Sequence, residues 1–430
     1  MIGDRVRALR TRGRDVRLQV SWGLVSQVFS SATNFGLTVI AGRLVGPRGL
    51  GVIYIGLAVY LLALSLQRAL VTDPLVVATA GFERAERDAA TRVAMTIVFV
   101  SATTVTVLLL AVGAAVGGDA GRGLLLFAPW TGVALVQDSW RAALFRDQRG
   151  RAAAVNDGLW ALVMAAALPL AFVVDRDWAI VATWGAGALA GALAGFAQLR
   201  LAPARLRAAV SWWWHKAWPL GRWLGLESLF VSLGAQVVVF LLAAVLGPRD
   251  LGGLRAVEAI FAPMTLVVQA IALPGLPLLS RTLNSSFAEA RAWAVRLSLI
   301  SLGLVVLYLG AVGAVRDQVL RAVFGDAFTS FSYLIIPIGI AQLLYALAVG
   351  FALLLRADRR GRSLIVARFI GAGSTLALVW TFAATNGLRG AAWGRALGAT
   401  VGTATMMTLA QRHQRAATAT ATDEAREPPA

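Results

Sequence analysis

Leu44-Val45-Gly46-Pro47-Arg48-Gly49-Leu50-Gly51 returns about 200 residues later as Val245-Leu246-Gly247-Pro248-Arg249-Asp250-Leu251-Gly252, the kind of self-similarity that marks a duplicated unit. Each copy joins two long apolar runs. Glycine followed by proline ends one helix and frees the next to begin, so both copies read as turns between consecutive helices. A second pair repeats at a similar distance. Asp147-Gln148-Arg149-Gly150-Arg151 matches Asp358-Arg359-Arg360-Gly361-Arg362, and each stands directly before an apolar run.

The runs set the fold class. The 430 residues are 58% apolar and 14% charged, whereas soluble domains are roughly half apolar and a quarter charged. A spanning helix needs about 20 apolar residues, and lipid tolerates no unpaired backbone, so the chain reads as an all-α polytopic membrane protein. Helices are expected over residues 18–43, 50–79, 93–117, 123–144, 153–174 and 178–202 in the first half. In the second they are expected over 218–246, 251–279, 293–315, 331–355, 363–385 and 389–411. Each copy of the basic signature follows an even-numbered helix in a half of six, so the twelve transmembrane helices form two parallel six-helix repeats.

Around these helices the chain divides into a basic tail at 1–17, an N-terminal bundle at 18–202 and a linker at 203–217, then a C-terminal bundle at 218–411 and a tail at 412–430. The last tail, with Ala-Thr repeats and a double proline, reads as disordered. The linker holds Trp212-Trp213-Trp214, an interfacial anchor, on a stretch suited to lie along the membrane surface with Arg205 and Arg207 reaching phosphates. Arginines crowd the loops on one side, among them Arg84, Arg87, Arg149, Arg151, Arg281 and Arg360, and are sparser on the other, where Arg48, Arg122, Arg249 and Arg316 fall. The positive-inside rule then puts both termini in the cytoplasm, and the cell's inner (plasma) membrane is the expected location. The apolar run after the first tail is too long for a cleaved signal peptide. Because the net charge of +18 is spread over short loops, without a single basic patch and stacking aromatics, it speaks for topology and against nucleic acid.

The chain has no cysteine and two separated histidines, His215 and His413, which excludes disulfides and thiolate metal sites and suggests no metal and no cofactor. No P-loop is present and no loop is large enough for a catalytic domain, so the chain does not read as an enzyme.

Ionisable side chains at membrane depth are costly and mark candidate sites. Arg68 and Arg255 lie on the helices that follow the repeated turn and are candidates to face a ligand. Arg222 and Arg368 stand near helix ends, where snorkelling to the interface explains an arginine equally well. Arg255, Glu258, Thr265 and Gln269 share a stripe of one helix, as do Gln27, Ser31, Asn34 and Thr38 of another; both stripes suit a polar cavity or interhelical hydrogen bonds. Asp138 and Arg141 stand at i and i+3 and can pair within their helix. Asp138 and Asp157 lack carboxylate counterparts in the second half, which makes them candidates for a proton or sodium site, although Asp157 also suits the start of its helix as a dipole partner. Glu258 and Glu227 complete the ion-coupling candidates. Gly390, Gly394, Gly398 and Gly402, like Gly187, Gly191 and Gly195, form small-residue faces for close helix packing.

Several of these stretches carry a family resemblance. The run from Gln27 through Asn34-Phe35 into Ala41-Gly42-Arg43-Leu44-Val45-Gly46-Pro47, together with Gln137-Asp138-Ser139-Trp140-Arg141 and Gly387-Leu388-Arg389-Gly390-Ala391-Ala392, resembles Wzx-like polysaccharide-biosynthesis flippases. These belong to the multidrug/oligosaccharidyl-lipid/polysaccharide exporter superfamily. The resemblance implies two six-helix bundles in a V around a central cavity, rocking between inward and outward access. It implies a polyprenyl-pyrophosphate-linked oligosaccharide as cargo, membrane lipids as surroundings, and the polymerase and glycosyltransferases of the same pathway as partners. On that footing Arg68, Arg255 and Arg222 neutralise the pyrophosphate, since guanidinium suits phosphate oxygens. Gln27, Asn34, Gln236 and Gln269 offer hydrogen bonds to sugars. The alternative within the superfamily is a cation-coupled multidrug antiporter, which would depend on Asp138 or Asp157 taking up a cation. A membrane glycosyltransferase would require a large outer loop, which this chain lacks.

Overall fold

At both copies of the repeated turn the chain reverses through a single residue. Gly46 has φ +66° and Gly247 φ +84°, a left-handed conformation that costs a residue with a Cβ about 1–2 kcal/mol. The Gly247 N–H closes the preceding helix on the Ala243 carbonyl at 3.1 Å, and Pro248 opens the next helix, where a missing N–H costs nothing. The turns are therefore tighter than the gaps of several residues expected from the sequence, because one left-handed glycine suffices to redirect the backbone.

The computed structural model describes the backbone except at residues 1, 80, 175, 284, 359 and 425–430, and side chains over 21–412 except at those positions and at 224, 227–235 and 361. At the expected tails the backbone is helical over 2–17 and over 412–424, where the composition reads as disordered, and residues 425–430 lie outside the described residues. Helix α1 runs Ile2–Gln67, broken at Gly46, and continues through a π-helical turn, Arg68–Thr72, into α2, Asp73–Ala78. Then come α3 Arg84–Val116, α4 Gly118–Arg146, α5 Gly150–Val174, α6 Asp177–Leu199 and the short α7 Leu206–Trp212, which leads through a second π-helical turn, Trp213–Ala217, into α8 Trp218–Leu246. The chain ends with α9 Pro248–Leu283, α10 Phe287–Ala314, α11 Arg316–Phe324, a 3-10 stretch Asp326–Leu334, α12 Ile335–Ala357 and α13 Gly361–Glu424, itself broken at Asn386 and Gly387.

Eight described helices are long and apolar enough to cross a membrane, and two of them, Ser21–Ala78 and Arg362–Arg412, each contain two spans joined at the glycine breaks. Helices α4 and α8 are each 29 residues long and are not among these eight; of α8 the described residues Gln236–Leu246 form a shorter apolar stretch. The chain is a polytopic membrane protein built of helices, and the described residues contain no strand.

The basic signature folds alike in both halves. Leu144 O accepts from Arg149 N at 2.8 Å and Leu355 O from Arg360 N at 2.9 Å, while the next helix is joined through Ala153 N to Arg149 O and Leu364 N to Arg360 O. The signatures are further apart than the glycine turns because α11 and the 3-10 stretch stand where the first half has only Gly117. Neither was expected, since both begin between the helices expected over 293–315 and 331–355.

Contacts divide the chain into two compact units, Met1–Ser232 and Leu233–Ala430. In the first, α4 is the hub, packed by α1, α3, α5 and α6. Buried Trp184 meets Tyr60, Phe127 and Trp160 with ring centroids 5.1, 5.5 and 5.3 Å apart. In the second, α12 takes the corresponding place against α9, α10 and α13, with Met264, Val268, Leu279 and Leu354 in the core. The glycine faces pack as expected: a Cβ at Gly195 would lie 2.6 Å from Trp140, and one at Gly394 2.6 Å from the Leu378 carbonyl across the α13 hairpin.

Candidate functional site

Hub helix α4 brings Gln137, Asp138 and Arg141 into the first unit's interior, where α1 and α5 supply their partners. The Arg68 guanidinium, at the start of the π-helical turn, grips Asp138 as a fork, Nε donating to Oδ2 at 2.8 Å and Nη2 to Oδ1 at 2.5 Å. A π turn admits an extra residue and so re-aims the side chain that opens it. Arg141 donates to Asp138 Oδ1 at 2.9 Å and reaches Asp157 Oδ2 at 3.4 Å. Asp157 also accepts from the Ser26 hydroxyl and from Gln137 Nε2 at 3.1 Å. Gln137 donates to Asn156 Oδ1 at 2.8 Å, and Asn156 Nδ2 donates to the Gly191 carbonyl at 2.7 Å. Next to Arg68, Gln67 donates to Ser139 Oγ and the Leu135 carbonyl, both at 2.9 Å.

The cluster is buried: Asp138, Asp157, Asn156, Gln137 and Gln67 all belong to the interior. Arg68 differs, with 41% of its side chain exposed against 6% for Asp138. Two guanidiniums face two carboxylates, which compensates the charge that makes an isolated buried ion so costly. Beside the cluster lies a polar cavity of about 50 Å³ lined by Asn34, Tyr60, Arg68, Asp138, Arg141 and Trp160 among others. That is room for a few waters.

The second unit holds a smaller cluster. Glu258 on α9 accepts from Arg395 of α13 and lies 3.7 Å from Arg255 Nη1 one turn earlier. Its side chain is 13% exposed and that of Arg395 33%.

No family model matches the chain, and no curated protein matches it. Solved structures do. The chain is similar to the inward-facing form of a multidrug resistance MATE family transporter of the MOP superfamily, with TM-score 0.72 and 13% identity over 90% of this chain and 95% of that one. It is similar to the lipid II flippase MurJ in an inward closed conformation, with TM-score 0.69 and 12% identity over 90% of this chain and 87% of that one. A third likeness, TM-score 0.63 at 11% identity, is to a MOP superfamily transporter from Pyrococcus furiosus, over 93% of this chain and 95% of that one. The fold is that of MOP superfamily transporters.

Within that fold the expected residues are distributed unevenly. Arg68, Asp138 and Asp157 come together in one cluster, although separate roles were expected for the arginine and the carboxylates. Asp157 is no simple dipole partner, for it has three side-chain partners of its own. Asn34 lines the cavity and donates to the Ser30 carbonyl at 3.0 Å. Gln27 instead is exposed, bonded to Ser31 at 3.3 Å. Arg222 is exposed and lies over the Trp223 ring at 5.2 Å. Arg255 and Glu258 pair as expected, with Arg395 added. Gln269 is exposed, and Gln236 is half-buried with its Oε1 enclosed and unbonded. The Glu227 side chain lies outside the described residues. Sequence reasoning missed Ser26, Gln67 and Asn156 as members of the network. The polar pair Asn156-Asp157 in an otherwise apolar run was the available signal.

Proposed function

We propose that this chain is a membrane transporter that moves a polyprenyl-pyrophosphate-linked oligosaccharide from the inner to the outer leaflet for surface polysaccharide export, by alternating access of its two bundles with both termini cytoplasmic. The MOP superfamily fold supports the transporter part of this reading. The observation that carries the rest is Arg68, a part-exposed guanidinium at membrane depth whose two N–H donors are held by one carboxylate. Diphosphate oxygens offer a guanidinium fork the same planar, two-point contact, so anionic cargo can exchange with Asp138 for Arg68. In the second unit Arg255 and Arg395 both meet Glu258, so guanidinium groups stand there too.

The test is genetic. With the chain deleted in its host and restored as Arg68→Ala or Arg255→Ala, surface polysaccharide should be lost while the variant protein stays in the membrane. Polymer at wild-type levels from both variants would overturn the assignment.

One observation favours the second reading, a cation-coupled multidrug antiporter. Asp157 is buried and its guanidinium contact is longer, at 3.4 Å, than those of Asp138. That reading makes drug tolerance fall on deletion and again with Asp157→Asn; the flippase reading leaves drug tolerance unchanged.

A further inference from the structure

The segment between α6 and α8 carries charge of one sign. Arg200, Arg205, Arg207 and Lys216 lie in it, Arg222 follows in the first turns of α8, and no Asp or Glu occurs between Asp177 and Glu227. Here α7 buries Ala209 against α3 and turns Leu206, Val210 and Trp214 outward, 54%, 51% and 57% exposed. Four-residue spacing puts these three on one face. Together with Arg207, Ser211 and His215 they line a groove of about 700 Å³.

The face is rigidly mounted within the first unit. Ala204 N donates to the Arg92 carbonyl at 3.1 Å, and Thr96 Oγ1 donates back to Ala204 O at 3.0 Å. Trp213 turns inward, its Nε1–H donating to the Leu70 carbonyl at 3.1 Å, and Trp214 stacks on Trp218 with the rings 7° from parallel. The inward bond of Trp213 leaves Trp214 facing out. Leu70 belongs to the same π-helical turn as Arg68, so whatever steadies this face steadies the turn that aims the guanidinium.

We propose that this face docks an anionic phospholipid, its acyl chains along Leu206, Val210 and Trp214 and its phosphate against Arg207, Arg205 and Lys216. The place in the chain fits, since the segment follows one membrane-spanning helix and leads into another and so stands where headgroups are. An apolar stripe edged by cations is the pattern of interfacial helices on anionic bilayers. The unbroken positive charge selects an anionic headgroup over a zwitterionic one. This site is separate from the Arg68 cluster and does not rest on the cargo.

The test is thermal unfolding of the full-length protein in detergent while phosphatidylglycerol or phosphatidylcholine is titrated in. Phosphatidylglycerol should raise the midpoint at lower concentration than phosphatidylcholine. The triple variant Arg205→Gln, Arg207→Gln and Lys216→Gln should lose that preference, by on the order of fivefold in concentration per charge removed. Val210→Ser should weaken the response to both lipids alike while keeping the preference. Equal response of the wild type to the two lipids, or a triple variant that still prefers phosphatidylglycerol, overturns the proposal. So does reversal of the phosphatidylglycerol effect by millimolar inorganic phosphate, which would mark a free-phosphate site.

Discussion

Asp138 is the residue on which the first unit's polar interior turns, because it alone joins Arg68 to Arg141. Asp138→Asn removes the counter-charge and leaves the Arg141 guanidinium, only 16% exposed, facing one distant carboxylate. Breaking a buried pair from one side costs about 3–5 kcal/mol, so this variant is expected to unfold at clearly lower temperature in detergent, with Arg68→Ala, on the more exposed partner, costing less. Equal destabilisation by the two would show that exposure does not grade the pair. Gly191 is the second sensitive point, since a Cβ there would stand 2.9 Å from Gln137 Cγ and 3.1 Å from Asn156 Oδ1. Gly191→Ala should cost about 1–3 kcal/mol by overpacking, measurable by the same unfolding, whereas Gly23→Ala, with open space around its Cβ position, should not. The sequence made Asp138–Arg141 legible because they lie one turn apart. It could not show Arg68–Asp138, whose members are distant in the chain and meet only once α1 packs on α4.

At the scale of elements, the helix-breaking turns were readable and the irregular turns were not. Gly46 and Gly247 announce themselves by their repeated Gly-Pro context, and the structure puts both in the left-handed region. Gly46→Ala and Gly247→Ala should each cost about 1–2 kcal/mol, seen as lowered unfolding temperature, while Gly303→Ala, helical and with nothing near its Cβ position, should be neutral or stabilising. The π-helical turns at Arg68–Thr72 and Trp213–Ala217 left no trace in hydrophobic periodicity. One extra residue shifts a helix face without changing composition, so a pattern that counts apolar positions passes over it. The start of α3 was likewise placed too late. Its first turns are polar and are fixed by a capping box between Glu83 and Glu86, which a search for apolar runs does not register.

For the whole molecule, duplication was legible and asymmetry was only partly so. The two hub helices, α4 and α12, precede matching basic turns with matching hydrogen bonds. Only α4 carries a charged centre, whereas Val349 on α12, aligned with Asp138, is a buried apolar residue. The second unit's charge sits instead on α9 and α13, where Glu258 and Arg395 meet from positions that no local spacing relates. The fold is shared with MOP superfamily transporters, and the cargo proposed for it above is anionic and lipid-borne. The most direct test is native mass spectrometry of the detergent-purified protein, wild type and Arg68→Ala, mixed with a polyprenyl-diphosphate-linked saccharide. Wild type should hold the lipid through its diphosphate, and the variant should lose it. A wild-type protein that binds none, or a variant that binds it equally well, would contradict the account.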